Sequence, residues 1–149
     1  MNAPNSSVDR KLTLAVVDDD PSVIHLVRKV LDTQFPGRME IHSFTDPREA
    51  KDWLSVNCCD LLLLDIVMPH VDGLELLEHA KRRNAWTQAI LITAYSTCDR
   101  LLKAVDLGAI DYLLKPIDHD LLTAVIEHEI ARFGRWQTAL YGTMEAVKS

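Results

Sequence analysis

No apolar run in this 149-residue chain reaches the roughly 18 residues of a membrane-spanning helix, so no membrane segment is expected. Cysteine is sparse. Cys58, Cys59 and Cys98 make neither a disulfide framework nor the spacing of a zinc site. They read as reduced thiols of a cytoplasmic protein. Basic charge is short too: 16 Lys and Arg stand against 22 Asp and Glu, for a net charge of -6. That balance argues against nucleic acid as a direct partner. Met1 to Arg10 has no apolar centre, so no secretory signal is expected, and residues 1–10 read as a flexible tail. The remaining composition, 48% hydrophobic and 26% charged, suits one globular domain.

What is present centres on Leu61-Leu62-Leu63-Leu64-Asp65. Four leucines between Asp60 and a turn predict a strand buried on both faces. The same alternation of strand and helix recurs along the chain. Lys11–Val17 and Met39–Phe44 predict strands, and each is followed by an Asp-led helix, opened by Asp20-Pro21 and Asp46-Pro47. After the Leu61 strand, Asp72-Gly73 opens a helix carrying Leu74, Leu77 and Ala80. Ala89–Thr93 is a fourth strand, with a helix through Leu101, Leu102 and Val105 that ends at Gly108. Ala109–Leu114 is a fifth, with Leu121, Leu122, Val125 and Ile126 in the last helix. Strands and helices alternating at this spacing predict an α/β domain with a parallel sheet and helices on both faces.

Right-handed crossovers bring all the strand C-termini to one edge, where open α/β sheets place ligands. That edge collects Asp18, Asp19, Asp20, Asp65, Thr93 and Lys115. Each has an ordinary alternative: Asp20 as a helix cap, Asp65 as a turn cap, Thr93 as a strand former, Lys115 as a surface lysine. Together they point to chemistry. Carboxylates about 4 Å apart repel by roughly 4 kcal/mol at an effective dielectric near 20. Mg²⁺, which takes oxygen ligands, relieves that repulsion, and lysine suits phosphate. The set fits phosphoryl transfer onto an aspartate.

Four blocks carry a family resemblance: Val16–Pro21, Leu64–Pro69 with Asp72-Gly73, Ile92–Tyr95, and Gly108–Pro116. Over roughly Leu12 to Arg132 the chain resembles the receiver domain of two-component response regulators. The resemblance implies the flavodoxin-like strand order 2-1-3-4-5 with five helices. It implies that Asp65 accepts a phosphoryl group from a histidine kinase or phosphotransfer protein, so the chain is a switch and not a turnover enzyme. Asp18, Asp19, Asp65 and the Val67 backbone carbonyl would hold Mg²⁺. Thr93 and Lys115 would contact the phosphoryl oxygens, and Tyr112 would be an aromatic switch. Lys115-Pro116 would be cis. Val67 and Tyr95 occupy positions that tune the lifetime of the phosphorylated form, and neither carries a group to orient water. Slow dephosphorylation is therefore expected.

The domain is expected over residues 11–132. Residues 133–149 keep a three-four spacing through Phe133, Trp136 or Gln137, Leu140, Met144 and Val147, despite Gly134 and Gly142. They are either a lengthened last helix packed on its own domain or a linker toward a partner or output domain. The resemblance makes the fourth helix, fifth strand and fifth helix the surface read by partners, including a second copy. It puts Arg100, Lys103, Asp106, Asp111 and Glu127 near that surface. Trp53 and Trp86 are expected to pack. Two alternatives stay open: a pseudo-receiver that binds without phosphorylation, and an aspartyl phosphatase, whose second Asp is replaced here by Val67.

Overall fold

The computed structural model describes residues 11–94 and 97–148. The tail expected over residues 1–10, and Tyr95, lie outside the described residues. Ten elements alternate: β1 (Leu12–Val17), α1 (Pro21–Gln34), β2 (Met39–Phe44), α2 (Pro47–Val56), β3 (Leu61–Asp65), α3 (Gly73–Arg83), β4 (Gln88–Thr93), α4 (Cys98–Asp106), β5 (Ala109–Leu114) and α5 (His119–Lys148). All strand pairs are parallel, and the order is β2-β1-β3-β4-β5. This is the doubly wound, flavodoxin-like fold that the alternation and the family resemblance imply.

β3 lies at the centre because its side chains have somewhere apolar to go on both faces. Leu61 and Leu63 join a core with α1 and α5, while Leu62 and Leu64 join a second core with α2, α3 and α4. All four leucines are fully buried. Burial of each is worth about 2 kcal/mol relative to exposure. The helices start where their caps dictate. Asp20, Asp46 and Asp72 each accept a backbone N–H two residues on, at 2.9 Å, and Thr97 caps α4. Asp60 and Thr87, buried at the opposite edge of the sheet, are likewise satisfied: Asp60 Oδ2 accepts Thr13 N–H, and Thr87 Oγ1 donates to the Cys59 carbonyl.

α4 differs from the pattern read in the sequence, and α5 takes the lengthened form that was one of its two readings. In α4 the residue buried against the sheet is Ala104, while Leu102 and Val105 are 58% and 64% exposed. The helix is short and makes its closest approach through a small side chain, which turns much of its apolar surface outward. α5 runs unbroken through Gly134 and Gly142 to Lys148. Phe133 is buried within the core, and Trp86 meets it at a tilt with ring centroids 5.6 Å apart and meets Trp136 edge-on at 6.2 Å. Past Gln137 the apolar residues Leu140, Tyr141, Met144 and Val147 are exposed. Trp53 packs on Phe44 and His42, as expected for a packing residue.

Candidate functional site

The C-terminal ends of β1, β3, β4 and β5 meet around one buried carboxylate pair. Asp18 follows β1, has no solvent exposure, and accepts the Asp20 N–H on Oδ1 at 2.9 Å. Asp65 closes β3 and is 4% exposed. Its Oδ1 accepts the Val67 N–H at 2.9 Å. Lys115, just after β5, reaches both acids, with Nζ 2.8 Å from Asp18 Oδ2 and 3.0 Å from Asp65 Oδ2. The Asp65 contact is a hydrogen bond. The Asp18 contact is an ion pair, and Asp18 Oδ2 accepts no hydrogen bond. Asp19 is exposed at the rim, and oxygens of Asp18, Asp19 and Asp65 lie within 4.8 Å of one another.

Electrostatics follow from this packing. Burial raises the Asp18 carboxyl above its ordinary range, more than the Lys115 ammonium pulls it down. Burial alone would lower Lys115, but its pairing with the Asp18 and Asp65 carboxylates holds it above the ordinary lysine value. Three carboxylates against one ammonium leave a formal charge of -2. An oxygen-only donor set with that deficit fits a hard divalent cation.

Of the other residues singled out in the sequence, Thr93 is buried at the end of β4, one residue beyond the partner of Asp65 in the β3–β4 register. Its carbonyl accepts the Lys115 N–H. The Lys115-Pro116 bond is cis. Val67 is 57% exposed at the mouth of the site. Tyr112 lies away from the acids, 56% exposed, beside an apolar cleft of about 700 Å³ between α4 and β5. Asp20 is a helix cap, accepting both the N–H and the hydroxyl of Ser22.

Arg100, on α4, turns its side chain toward the loop that follows β3. Its guanidinium grips Asp72 and the Ile66 carbonyl, because α4 starts beside the loop that follows β3. No pattern in the sequence signals that pairing across 28 residues. Gly73 is a second feature of the site. Its backbone packs so close to Asp65 and Ile66 that an added Cβ would stand 2.3 Å from Ile66 Cα. The Asp72-Gly73 pair was visible in the sequence as a helix start, but the close approach was not.

The fold and this strand-edge constellation define a class, a doubly wound domain with an acidic ligand edge, and the comparisons give its family. A model of the response regulator receiver domain matches residues 14–127, and the chain belongs to that family. It is 37% identical over 123 residues to the DNA-binding transcriptional regulator NtrC of Klebsiella pneumoniae, covering 82% of this chain and 25% of that protein. It is 34% identical over 105 residues to the response regulator protein PilR of Pseudomonas aeruginosa, covering 69% and 22%. The chain spans about a quarter of the length of these curated relatives. Among solved structures, the receiver domain of AraT, a response regulator from Geobacillus stearothermophilus, superposes with a TM-score of 0.76 at 28% identity, covering 86% of this chain and 99% of that one. A CheY-like receiver domain protein from Methanospirillum hungatei gives 0.76 at 23% identity, covering 83% and 96%, which speaks to the fold alone. Among the described residues no helix is long and apolar enough to cross a membrane.

Proposed function

We propose that the chain is a phosphorylation-controlled switch in which Asp65 accepts a phosphoryl group from a sensor histidine kinase or a phosphotransfer protein. The observation that carries this reading is the placement of Lys115 Nζ between Asp18 and Asp65 with Asp19 in reach. In the transfer, an Asp65 carboxylate oxygen attacks phosphorus, the new O–P bond forms, and the donor's N–P bond breaks to release its imidazole. Lys115 stands where it can pair with a phosphoryl oxygen, and the Thr93 hydroxyl is the second contact. Asp18, Asp19, Asp65 and the Val67 carbonyl would hold Mg²⁺, which when bound neutralises charge on the phosphoryl oxygens. The protein assists its own phosphorylation and is not a turnover enzyme.

Signal readout in this reading passes through Thr93 to Tyr112, whose ring stands beside a cleft large enough to receive it. Leu102, Val105, Tyr112 and Leu114 make an exposed apolar strip on α4 and β5. We assign that strip, with α5, as the surface for an output partner or a second copy. The domain spans residues 11–132, with residues 1–10 as a tail and 133–149 as an extension whose first turn adds Phe133 to the core. A phosphorylation-independent module is not favoured, because the whole acidic set is kept with Thr93 and Lys115. An aspartyl phosphatase would need a carboxylate where Val67 stands.

The test is incubation with Mg²⁺ and acetyl phosphate, followed by intact mass. One phosphoryl mass on the wild type and none on Asp65→Ala is expected. No gain in the wild type, or gain retained in Asp65→Ala, would refute the assignment.

A further inference from the structure

Arg100, on the first turn of α4, reaches across to the loop between β3 and α3. Its Nη2 donates to the Ile66 carbonyl at 2.8 Å and to Asp72 Oδ1 at 2.7 Å, and its Nη1 donates to Asp72 Oδ2 at 3.1 Å. The Ile66 carbonyl and the Val67 N–H belong to one peptide group, which is planar and rigid. That same N–H donates to Asp65 Oδ1 at 2.9 Å. A guanidinium on α4 and the carboxylate of Asp65 are thus joined through a single peptide unit, bonded at both its ends.

We propose that Arg100 is a positioning residue for Asp65 and the mechanical link between that carboxylate and α4. The inference rests on Asp65 being the phosphoacceptor. Hydrogen bonds in series polarise one another, and a cation on the carbonyl makes the N–H a better donor. Arg100 therefore strengthens the bond that restrains rotation of the Asp65 carboxylate. Asp72 holds the guanidinium in a fork that lysine cannot reproduce. Gly73 closes the other end of the loop against Asp65 and Ile66, so the peptide has little freedom to reorient. When Asp65 becomes an acyl phosphate, one carboxylate charge is consumed in the new O–P bond. Oδ1, if it stays as the acyl carbonyl, is then a weaker acceptor. The Val67 bond weakens, and the hold of Arg100 on the Ile66 carbonyl weakens with it. α4 thereby receives the phosphorylation state by a route that does not pass through Thr93 or Tyr112. Coupling of this kind is reciprocal, so constraining α4 alters phosphorylation in return.

The experiment compares the full chain with Arg100→Gln and Arg100→Lys by two readouts. In the unphosphorylated protein the Val67 amide proton is followed by ¹⁵N–¹H correlation spectroscopy. It is expected to move upfield in Arg100→Gln and less far in Arg100→Lys. Phosphorylation by acetyl phosphate with Mg²⁺ is then followed by mass over a range of donor concentrations. The maximal rate is expected to fall about tenfold in Arg100→Gln, the worth of one charged hydrogen bond, with half-saturation unchanged. Either an unmoved Val67 amide or a wild-type rate, even with a lowered melting temperature, makes Arg100 a purely structural tie and overturns the proposal. Where Gln prevents folding, the Lys variant carries the same comparison, since it keeps the charge and loses the fork. A wild type that takes no phosphoryl group overturns the phosphoacceptor reading and this proposal with it. The Val67 shift then still reports separately whether the peptide link exists.

Discussion

Lys115 Nζ stands 2.8 Å from Asp18 Oδ2, so an ammonium following the last strand compensates a carboxylate following the first that has no solvent exposure. Breaking such a pair leaves a buried charge alone. Lys115→Met is expected to destabilise the metal-free protein by about 3 kcal/mol near neutral pH. The folded-state lysine value lies above the ordinary 10.5, so its contribution is complete below 10.5 and is lost only as pH climbs through the raised value. The gap between wild type and variant should therefore stay flat from about pH 7 to 9. Urea unfolding in EDTA at several pH values measures it.

Asp19 differs from its neighbour in being exposed, with its carboxylate in reach of Asp18 and Asp65. Removing its charge costs no buried pairing. Asp19→Asn is expected to leave the melting temperature in EDTA unchanged or slightly raised, while weakening Mg²⁺ by about tenfold or more. Calorimetric titration with MgCl₂ gives the affinity. A variant that binds Mg²⁺ as tightly as wild type would remove Asp19 from the ligand set.

The leucines of β3 announced themselves, since a run with no polar alternation is stable only when both faces are covered. Asp20 and Asp46, each before a proline, marked helix starts by local chemistry alone. Asp18, Asp65, Thr93 and Lys115 could be placed on one edge because strand direction is a topological consequence of the alternation. Arg100 could not, because the direction of a long side chain depends on which loop its helix docks against. The outward turn of Leu102 and Val105 was equally hidden: a nine-residue helix offers too few turns for periodicity to reveal its inner face. Glu129, buried on α5 beside Arg132 with Oε1 lacking a hydrogen bond, has no sequence signature either.

The Gly73 backbone has no room for a side chain. An alanine Cβ would lie 2.3 Å from Ile66 Cα and 2.5 Å from the Asp65 carbonyl oxygen, both in the main chain and unable to rotate away. Gly73→Ala is expected to cost about 3 kcal/mol, at the upper end for overpacking. Because the displaced atoms are main-chain atoms of Asp65 and its neighbour Ile66, phosphorylation by acetyl phosphate should slow as well. Unfolding and mass gain measured on one preparation test both parts.

Arg100 keeps the Asp72 carboxyl below its usual range, chiefly through its paired hydrogen bonds. A depressed carboxyl stabilises the fold at pH values above its unfolded value of 3.8, and the effect is lost as pH falls through the folded one. Asp72→Asn retains an acceptor for the Leu74 N–H and removes only the charge. Since Asp72 is 46% exposed, the loss should be about 1 kcal/mol or less, constant from about pH 5 to 8. It should close below pH 3.8. Thermal melts of the two proteins across that window give the difference directly.

α5 supplies the last prediction, because it joins a packed segment to an exposed one without a break. Phe133 is 3% exposed in the α1–α5 core and packs on Trp86, whereas Leu140 and Met144 are 49% and 61% exposed. Removing a buried phenylalanine costs about 3–5 kcal/mol. A chain ending at Arg132 is therefore expected to be less stable than the full chain by roughly that amount. One ending at Gln137 should lose little, since the residues it drops contribute few buried groups. Phe133→Ala in the full chain should match the shorter truncation. If both truncations instead unfold at the same denaturant concentration as the full chain, the packing of Phe133 on Trp86 contributes nothing to the domain. The first turn past Arg132 would then belong, with the rest of the helix, to whatever the extension reaches.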